Sequence, residues 1–300
     1  MRKFLRNAQG TVTFAALTVN TIIWFIPLFL FALLKFLLPL PAIRRVLTRW
    51  IMAMGECWVS CNAVVFSLGN STTWDVRGLE SLSRKEWYLV VANHQTWVDI
   101  IVLQTVLSRR IPFLKFFIKQ QLIWFPLLGI SWWAMDMPFM KRYSKSYLAK
   151  HPEKKGQDLE ATRKACEKFS DTPTTVINFI EGTRFSEKKR IARASPYKYL
   201  LPPRAGGIAL AMSSMGSMFN CVLDVTLVYP RGVTRFWELC CGGFRHVIVD
   251  IGKKPIDEWM ISGDYAADRE FRSRFHQWLT KEWQEKDRRI EAILQESKPA

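Results

Sequence analysis

Residues 87–100 read WYLVVANHQTWVDI. An apolar run of strand character stops at Asn93-His94, and Asp99 follows five positions after the histidine. On one continuous helix, a separation of five turns two side chains about 140° apart, so they could not touch. If His94 instead ends a strand and Asp99 sits in the first turn of the next helix, the chain reverses between them. The carboxylate can then accept a bond from imidazole Nδ1–H, which fixes the tautomer, leaves Nε2 free as a base and stabilises the imidazolium once formed. The bland alternative is a structural histidine capped by an aspartate, and the spacing alone does not separate the two.

The strand-then-helix reading recurs outward from this stretch. TWDVRG (73–78), TTVINFIE (174–181), CVLDVTLVYP (221–230) and RHVIVDIG (245–252) join 87–93 as expected strands, and 98–109, 157–170 and 205–216 as expected helices. A solvated terminal helix is expected over 267–294, where charges of both signs fall on most turns. The polar stretch 145–158 is expected to be a surface loop. Strands alternating with helices predict an α/β domain around a largely parallel sheet flanked by helices, with ligands gathering at the carboxyl ends of the strands. His94 and Glu181 both fall at such ends and are expected to face one cleft.

The first third of the chain has another character. Residues 12–40 are almost wholly apolar, 29 residues that would run about 43 Å as a helix, against a hydrocarbon core of roughly 30 Å. A second apolar stretch covers 50–68. Arg2, Lys3 and Arg6 precede the first run, and Arg44, Arg45 and Arg49 follow it. The positive-inside bias cannot place both basic flanks on one side of a single span. A hairpin bent near Pro27, or two helices lying in one leaflet, resolves the conflict; two full spans are the competing solution. Residues 1–70 are therefore expected to form membrane-anchoring helices and 71–300 the folded domain.

Composition agrees with a membrane surface. The chain is 49% hydrophobic, with 13 Trp and 20 Phe, yet carries 43 Lys+Arg against 26 Asp+Glu, a formal net charge of +17. Cations meeting lipid phosphates and Trp at the headgroup level account for both features. No expected helix carries the dense basic stripe of a nucleic-acid binder. The six cysteines, Cys57, Cys61, Cys166, Cys221, Cys240 and Cys241, show neither CxxC nor Cys/His ligand spacing, so no metal site is expected.

A second loaded stretch is FIEGTRF, 179–185. Gly182 allows backbone to approach a ligand, Thr183 offers a hydroxyl and N–H, and Arg184 a planar fork suited to phosphate. Glu181 is expected to hold the arginine or orient a substrate hydroxyl. Between the motifs, 113–142 is interrupted by Lys115, Lys119, Pro126 and Asp136. It reads as part strand, part amphipathic lipid-facing surface, with Lys141 and Arg142 near the phosphate. No GxSxG occurs and no cysteine lies near His94 in sequence, so a base here points to direct activation of a substrate hydroxyl.

Taken together, these residues resemble the glycerophospholipid acyltransferase family, the PlsC-like lysophosphatidic acid acyltransferases. Asn93-His94-x4-Asp99 is similar to the family's first motif and Glu181-Gly182-Thr183-Arg184 to its third. The stretch ending at Arg142 is similar to the second, although it departs from the Gly-x-Ile-Phe-Ile-Asp-Arg pattern. LPPRAGGIALAM (201–212) and DVTLVYP (224–230) resemble the branch that includes eukaryotic lysocardiolipin acyltransferases. Ile180 stands where the family commonly has Pro, so the entry to that loop is expected to differ.

The resemblance implies a mixed sheet flanked by helices, entered by a two-helix membrane motif. It implies an O-acyltransferase that moves an acyl group from acyl-CoA or acyl-carrier protein to a lysophospholipid hydroxyl, foremost lysophosphatidic acid, with no cofactor and no acyl-enzyme. His94 would be the base and Asp99 its orienter. Arg184, with Lys141, Arg142 or Arg204, would bind the acceptor phosphate. Competing acceptors are lysophosphatidylglycerol, lysocardiolipin and glycerol-3-phosphate; a competing class is a non-catalytic lipid-binding protein. The expected location is a membrane, the inner membrane with a cytoplasmic active site if the source is bacterial.

Overall fold

A computed structural model describes residues 2–38, 40–140, 172–265 and 267–297. The expected helix at 157–170, the polar stretch 145–158, Lys141 and Arg142 lie outside the described residues.

Strand β2 (Tyr88–Ala92) is buried at all five positions and forms the middle of the sheet. Its alternating side chains serve two cores. Tyr88, Val90 and Ala92 pack with Val98, Val102 and Val106 of α3 (Val98–Leu107), while Leu89 and Val91 face the opposite side. There they meet α6 (Ala205–Met215) and the terminal helix α9 (Arg269–Glu296). A continuous apolar strand suits this double burial.

The other strands are β1 (Thr73–Arg77), β3 (Leu114–Phe116), β4 (Ile118–Lys119), β5 (Phe139–Met140), β6 (Thr175–Phe179), β7 (Cys221–Val228) and β8 (His246–Lys254). Six form one sheet in the order β1-β8-β7-β2-β6-β3, while β4 and β5 pair separately. Every pair in the large sheet is parallel except β7 with β8. Ala92 is in register with Phe179 of β6 on one side and Val225 of β7 on the other. The carboxyl ends of β2, β6 and β7 thus open on one rim. The sheet is mixed and largely parallel, with helices on both faces.

The N-terminal third forms two helices, α1 (Arg2–Leu37) and α2 (Pro41–Gly69), each long and apolar enough to cross a membrane by length and composition. They run antiparallel: Gln9 Nε2 donates to Gly69 O, Asn20 Nδ2 to Asn62 Oδ1, and Arg44 Nε to Lys35 O. Pro27 lies inside α1, so of the expected solutions the hairpin bent near Pro27 is not the one formed, and the chain reverses between Leu37 and Pro41. One missing N–H weakens a long helix without ending it, whereas Pro41 sits where its fixed φ suits the start of a new one.

The hairpin docks on the domain at both ends of α1. Near the start, a Cβ on Gly10 would come within 2.5 Å of Cys241 Sγ, just after α7 (Phe236–Cys240), so only glycine fits this approach. Near the end, Lys35 Nζ donates to Ala134 O at 3.1 Å and Asp136 Oδ2 at 2.6 Å, around the end of α4 (Leu128–Ala134). The expected amphipathic stretch is indeed part strand and part short helix. It leaves Trp124 87% exposed, with Phe125 and Trp133 also exposed and Trp133 beside Phe36 of α1.

Candidate active site

Beyond Ala92 the chain leaves the sheet, and side chains take over the ladder's bonds. Asn93 accepts the Leu227 N–H on Oδ1 at 2.8 Å and donates from Nδ2 to Leu227 O at 2.9 Å. Thr96 Oγ1 donates to Thr234 O at 2.7 Å. The turn between β2 and α3 is thereby tied to β7 and the loop after it.

Asp99, in the first turn of α3, is fully buried. Its Oδ2 lies 2.8 Å from His94 Nδ1 and accepts the Gln95 and Thr96 N–H groups at 2.5 and 2.9 Å. Its Oδ1 accepts the Tyr229 hydroxyl at 2.6 Å. Burial holds the Tyr229 phenol well above its ordinary range, and the Asp99 charge adds to this, so it stays a donor. The imidazole stacks on Phe179, the last residue of β6, at 4.1 Å and 18°. With Nδ1 facing a carboxylate, the proton of the neutral ring belongs on Nδ1. Nε2 has no hydrogen-bond partner among the described residues, and 14% of the side chain is open to solvent. Such a group can take a proton from a hydroxyl brought to it.

The second motif closes on the first through backbone. Glu181 follows β6 in register with His94, and its carboxylate is fully buried. Oε1 accepts the His94 N–H and Oε2 the Leu201 N–H, both at 3.0 Å. Burial pushes this carboxyl up to about 8, against the pull of the two N–H donors. Expected to hold the arginine or orient a hydroxyl, Glu181 instead uses both carboxyl oxygens to tie the strand end to the loop at 201. Ile180, in the place of the family's proline, is buried in the core on the α6 side of the sheet and accepts the Arg204 N–H on its carbonyl.

Gly182 has φ +67°, a region that favours glycine, and a Cβ there would approach Arg204 Cδ to 3.0 Å. Phe185 N–H donates to His94 O at 2.7 Å, which sets the 182–185 loop alongside the histidine. The Arg184 guanidinium lies over the Trp97 ring, 4.8 Å from its centre. Lys189 Nζ, on α5 (Glu187–Ala192), donates to Thr183 Oγ1 at 2.9 Å and to Arg184 O at 2.8 Å. Arg193 Nη1 reaches Glu181 O at 3.5 Å.

Among the described residues, none of Arg184, Lys189, Arg193 and Arg204 has an ion pair, whereas neighbouring Arg190 and Lys198 pair with Glu187 and Glu291. A cluster of unneutralised cations around a glycine turn suits an anion. Sequence reasoning did not find Tyr229, Trp97 or Lys189. The signal for Tyr229 was its place near the end of the expected strand 221–230, a position akin to the strand end that singled out His94.

The Acyltransferase family model matches residues 73–230, from the first residue of β1 to the one after Tyr229. The chain belongs to the Acyltransferase family. Members similar to it include human 1-acyl-sn-glycerol-3-phosphate acyltransferase gamma and delta, 26% and 27% identical over 217 residues. Each alignment takes in 68% of this chain and 52% of the relative. Mouse 1-acyl-sn-glycerol-3-phosphate acyltransferase epsilon is 28% identical over 182 residues, 56% of this chain and 47% of that one. The chain thus spans about half the length of these curated relatives. In fold, this Acyltransferase member resembles the crystal structure of the 1-acyl-sn-glycerophosphate acyltransferase PlsC from Thermotoga maritima. The TM-score is 0.55 with 16% identity, and both chains are covered completely. Every site residue described above except Thr234 lies inside the matched Acyltransferase span.

Proposed function

We propose that this protein is a membrane-associated O-acyltransferase that converts lysophosphatidic acid to phosphatidic acid, with acyl-CoA or acyl-carrier protein as donor. The observation that carries the reading is the open Nε2 of His94 beside an unneutralised cationic loop. His94 Nε2 takes the proton of the acceptor hydroxyl as its oxygen attacks the thioester carbonyl. The tetrahedral intermediate collapses with cleavage of the C–S bond, and the imidazolium returns the proton to the leaving thiolate. Asp99 holds the ring and offsets its charge through the cycle. Nε2 has no serine or cysteine partner among the described residues, in keeping with direct transfer and no acyl-enzyme.

Arg184 and Arg204 hold the acceptor phosphate, with Lys189 beside them. A phosphomonoester carries about −1.5 to −2 charge at pH 7, so more than one cation is needed, and this favours lysophosphatidic acid over diester lysolipids.

The hairpin supports a position in one leaflet. Gly10 and Lys35 both meet the domain, and 25 residues of helix separate them by about 38 Å, more than the roughly 30 Å of hydrocarbon. A helix held to one domain at two points that far apart lies along it. Its free flank, with Ile22, Ile26, Phe29 and Leu33 exposed, faces lipid. In a bacterium the site would face the cytoplasm.

The test offers detergent-purified protein an acyl-CoA or, separately, an acylated acyl-carrier protein, each with a panel of lysophospholipids, and products are identified by mass spectrometry. Phosphatidic acid is expected as the main product, and none from His94→Ala. Folded wild-type protein that acylates no acceptor, from either donor, would overturn the reading.

A further inference from the structure

The Asp99 carboxylate has two oxygens with different duties. Oδ2 faces His94 Nδ1 and is steadied by the N–H groups of Gln95 and Thr96. Oδ1 has one donor among the described residues, the Tyr229 hydroxyl at 2.6 Å. Tyr229 stands one residue past β7 and is buried, with its ring against Phe244 at 6.2 Å. The Asn93 clasp on Leu227 fixes the end of β7 two residues earlier, so the phenol arrives from a strand already locked to the β2 turn.

We infer that Tyr229 is a positioning residue that acts through Asp99, setting the rotation of its carboxylate and the basicity of His94. This rests on the general-base reading above. Three donors on Oδ2 grip one side of the carboxylate; the phenol grips the other and stops it swinging Oδ2 away from the imidazole. The phenol also draws charge toward Oδ1. An oxygen with a shared charge stabilises the neighbouring imidazolium less than one bearing the full charge, so Tyr229 keeps His94 a weaker base than Asp99 alone would make it.

The ionisable groups facing the pair are few. Glu181, after β6, bonds the His94 N–H; Arg184 lies over Trp97 in the same turn; Tyr229 comes from β7. Lys286 of α9, bonded to Val225 O, lies further back along β7. Of these, only Tyr229 contacts the Asp99 side chain among the described residues.

The variant Tyr229→Phe keeps the ring and its packing and removes the hydroxyl alone. The His94 titration is followed by NMR of 15N-histidine-labelled protein, the signal assigned by its loss in His94→Asn. In Tyr229→Phe the midpoint is expected to rise by about half a pH unit or more. In parallel, kcat for acyl transfer should fall about tenfold, with KM for both substrates held within about twofold. The acid limb of the rate profile should move up with the NMR midpoint. Phe244→Leu, which loosens the same packing without touching the bond, should lower the melting temperature and leave the midpoint in place. An unchanged midpoint in Tyr229→Phe, or equal shifts in both variants, would overturn the inference. The NMR readout needs no acceptor, so it stands apart from failure of the acyl-transfer reading itself.

Discussion

Glu181 and His94 are joined not side chain to side chain but by one bond from backbone to carboxylate, the His94 N–H on Glu181 Oε1 at 3.0 Å. With Oε2 on Leu201 N–H, each oxygen of the buried carboxyl accepts one backbone N–H, which a carboxyl oxygen can do even when the group is protonated. Glu181→Gln turns one acceptor into a donor and sets N–H against N–H. A loss of about 1–3 kcal/mol in stability is expected, read by urea unfolding, with reduced activity because the histidine's own backbone is released.

The same carboxyl makes stability depend on pH. Its folded value of about 8 lies above the ordinary value of 4.5, because burial penalises the charge. The folded state therefore holds a proton that the unfolded chain has released. The contribution is complete below about pH 4.5 and is lost as pH rises through 8. Unfolding midpoints for the wild type should fall between about pH 4.5 and 8 and level off above, and Glu181→Gln should lack that part of the decline.

On the proposed mechanism and membrane attachment, removing His94 as base or Asp99 as its orienter should stop chemistry without releasing the protein from membranes. His94→Ala and Asp99→Asn are expected to lower kcat by about 10²–10⁴-fold. Flotation with phospholipid vesicles should match the wild type. Full activity in both variants would sink the mechanism.

Arg184 reaches the site across the Trp97 ring. Arg184→Met should raise KM for lysophosphatidic acid about 10-fold or more by deleting the proposed phosphate contact. Trp97→Leu leaves the charge but removes its platform, for an increase of about 2–5-fold. Steady-state kinetics with a short-chain acceptor separate the two. Equal KM values for both variants and the wild type would place the phosphate elsewhere.

The in-plane hairpin predicts sidedness. Single cysteines in a cysteine-free background at Arg6, at Arg45 and at Lys188 in the domain should all react with an impermeant maleimide from the same face of sealed vesicles. Labelling of Arg6 and Arg45 from opposite faces would mean that α1 crosses.

The fold was legible where periodicity and chemistry coincide. Tyr88 to Ala92 carries no polar residue, so it announces a strand covered on both sides, and the His94–Asp99 spacing makes sense only if that strand turns into a helix. Strands over 73–77, 175–179, 221–228 and 246–254 fell close to expectation for the same reason. Partners brought together by the fold were not legible. Tyr229 lies 130 residues from Asp99, and no local pattern assigns a phenol to that carboxylate. Lys189 carried no signal in the sequence, since nothing local assigns its Nζ to Thr183. Glu181 was misjudged because a glutamate beside an arginine invites pairing, whereas register sends it inward to a backbone N–H. Pro27 misled for a related reason: a proline marks a weak point, but whether a chain turns there depends on what the next helix packs against.

The docking of α1 at Gly10 and Lys35 reaches beyond anchoring. On the in-plane arrangement proposed above, a domain gripped twice along a rigid helix cannot rise, sink or tip relative to the lipid headgroups. Its catalytic depth is set once, at folding, and it draws acceptor from the leaflet it sits in. Newly acylated lipid is then deposited on one side only, and stocking the opposite monolayer falls to a separate transbilayer step.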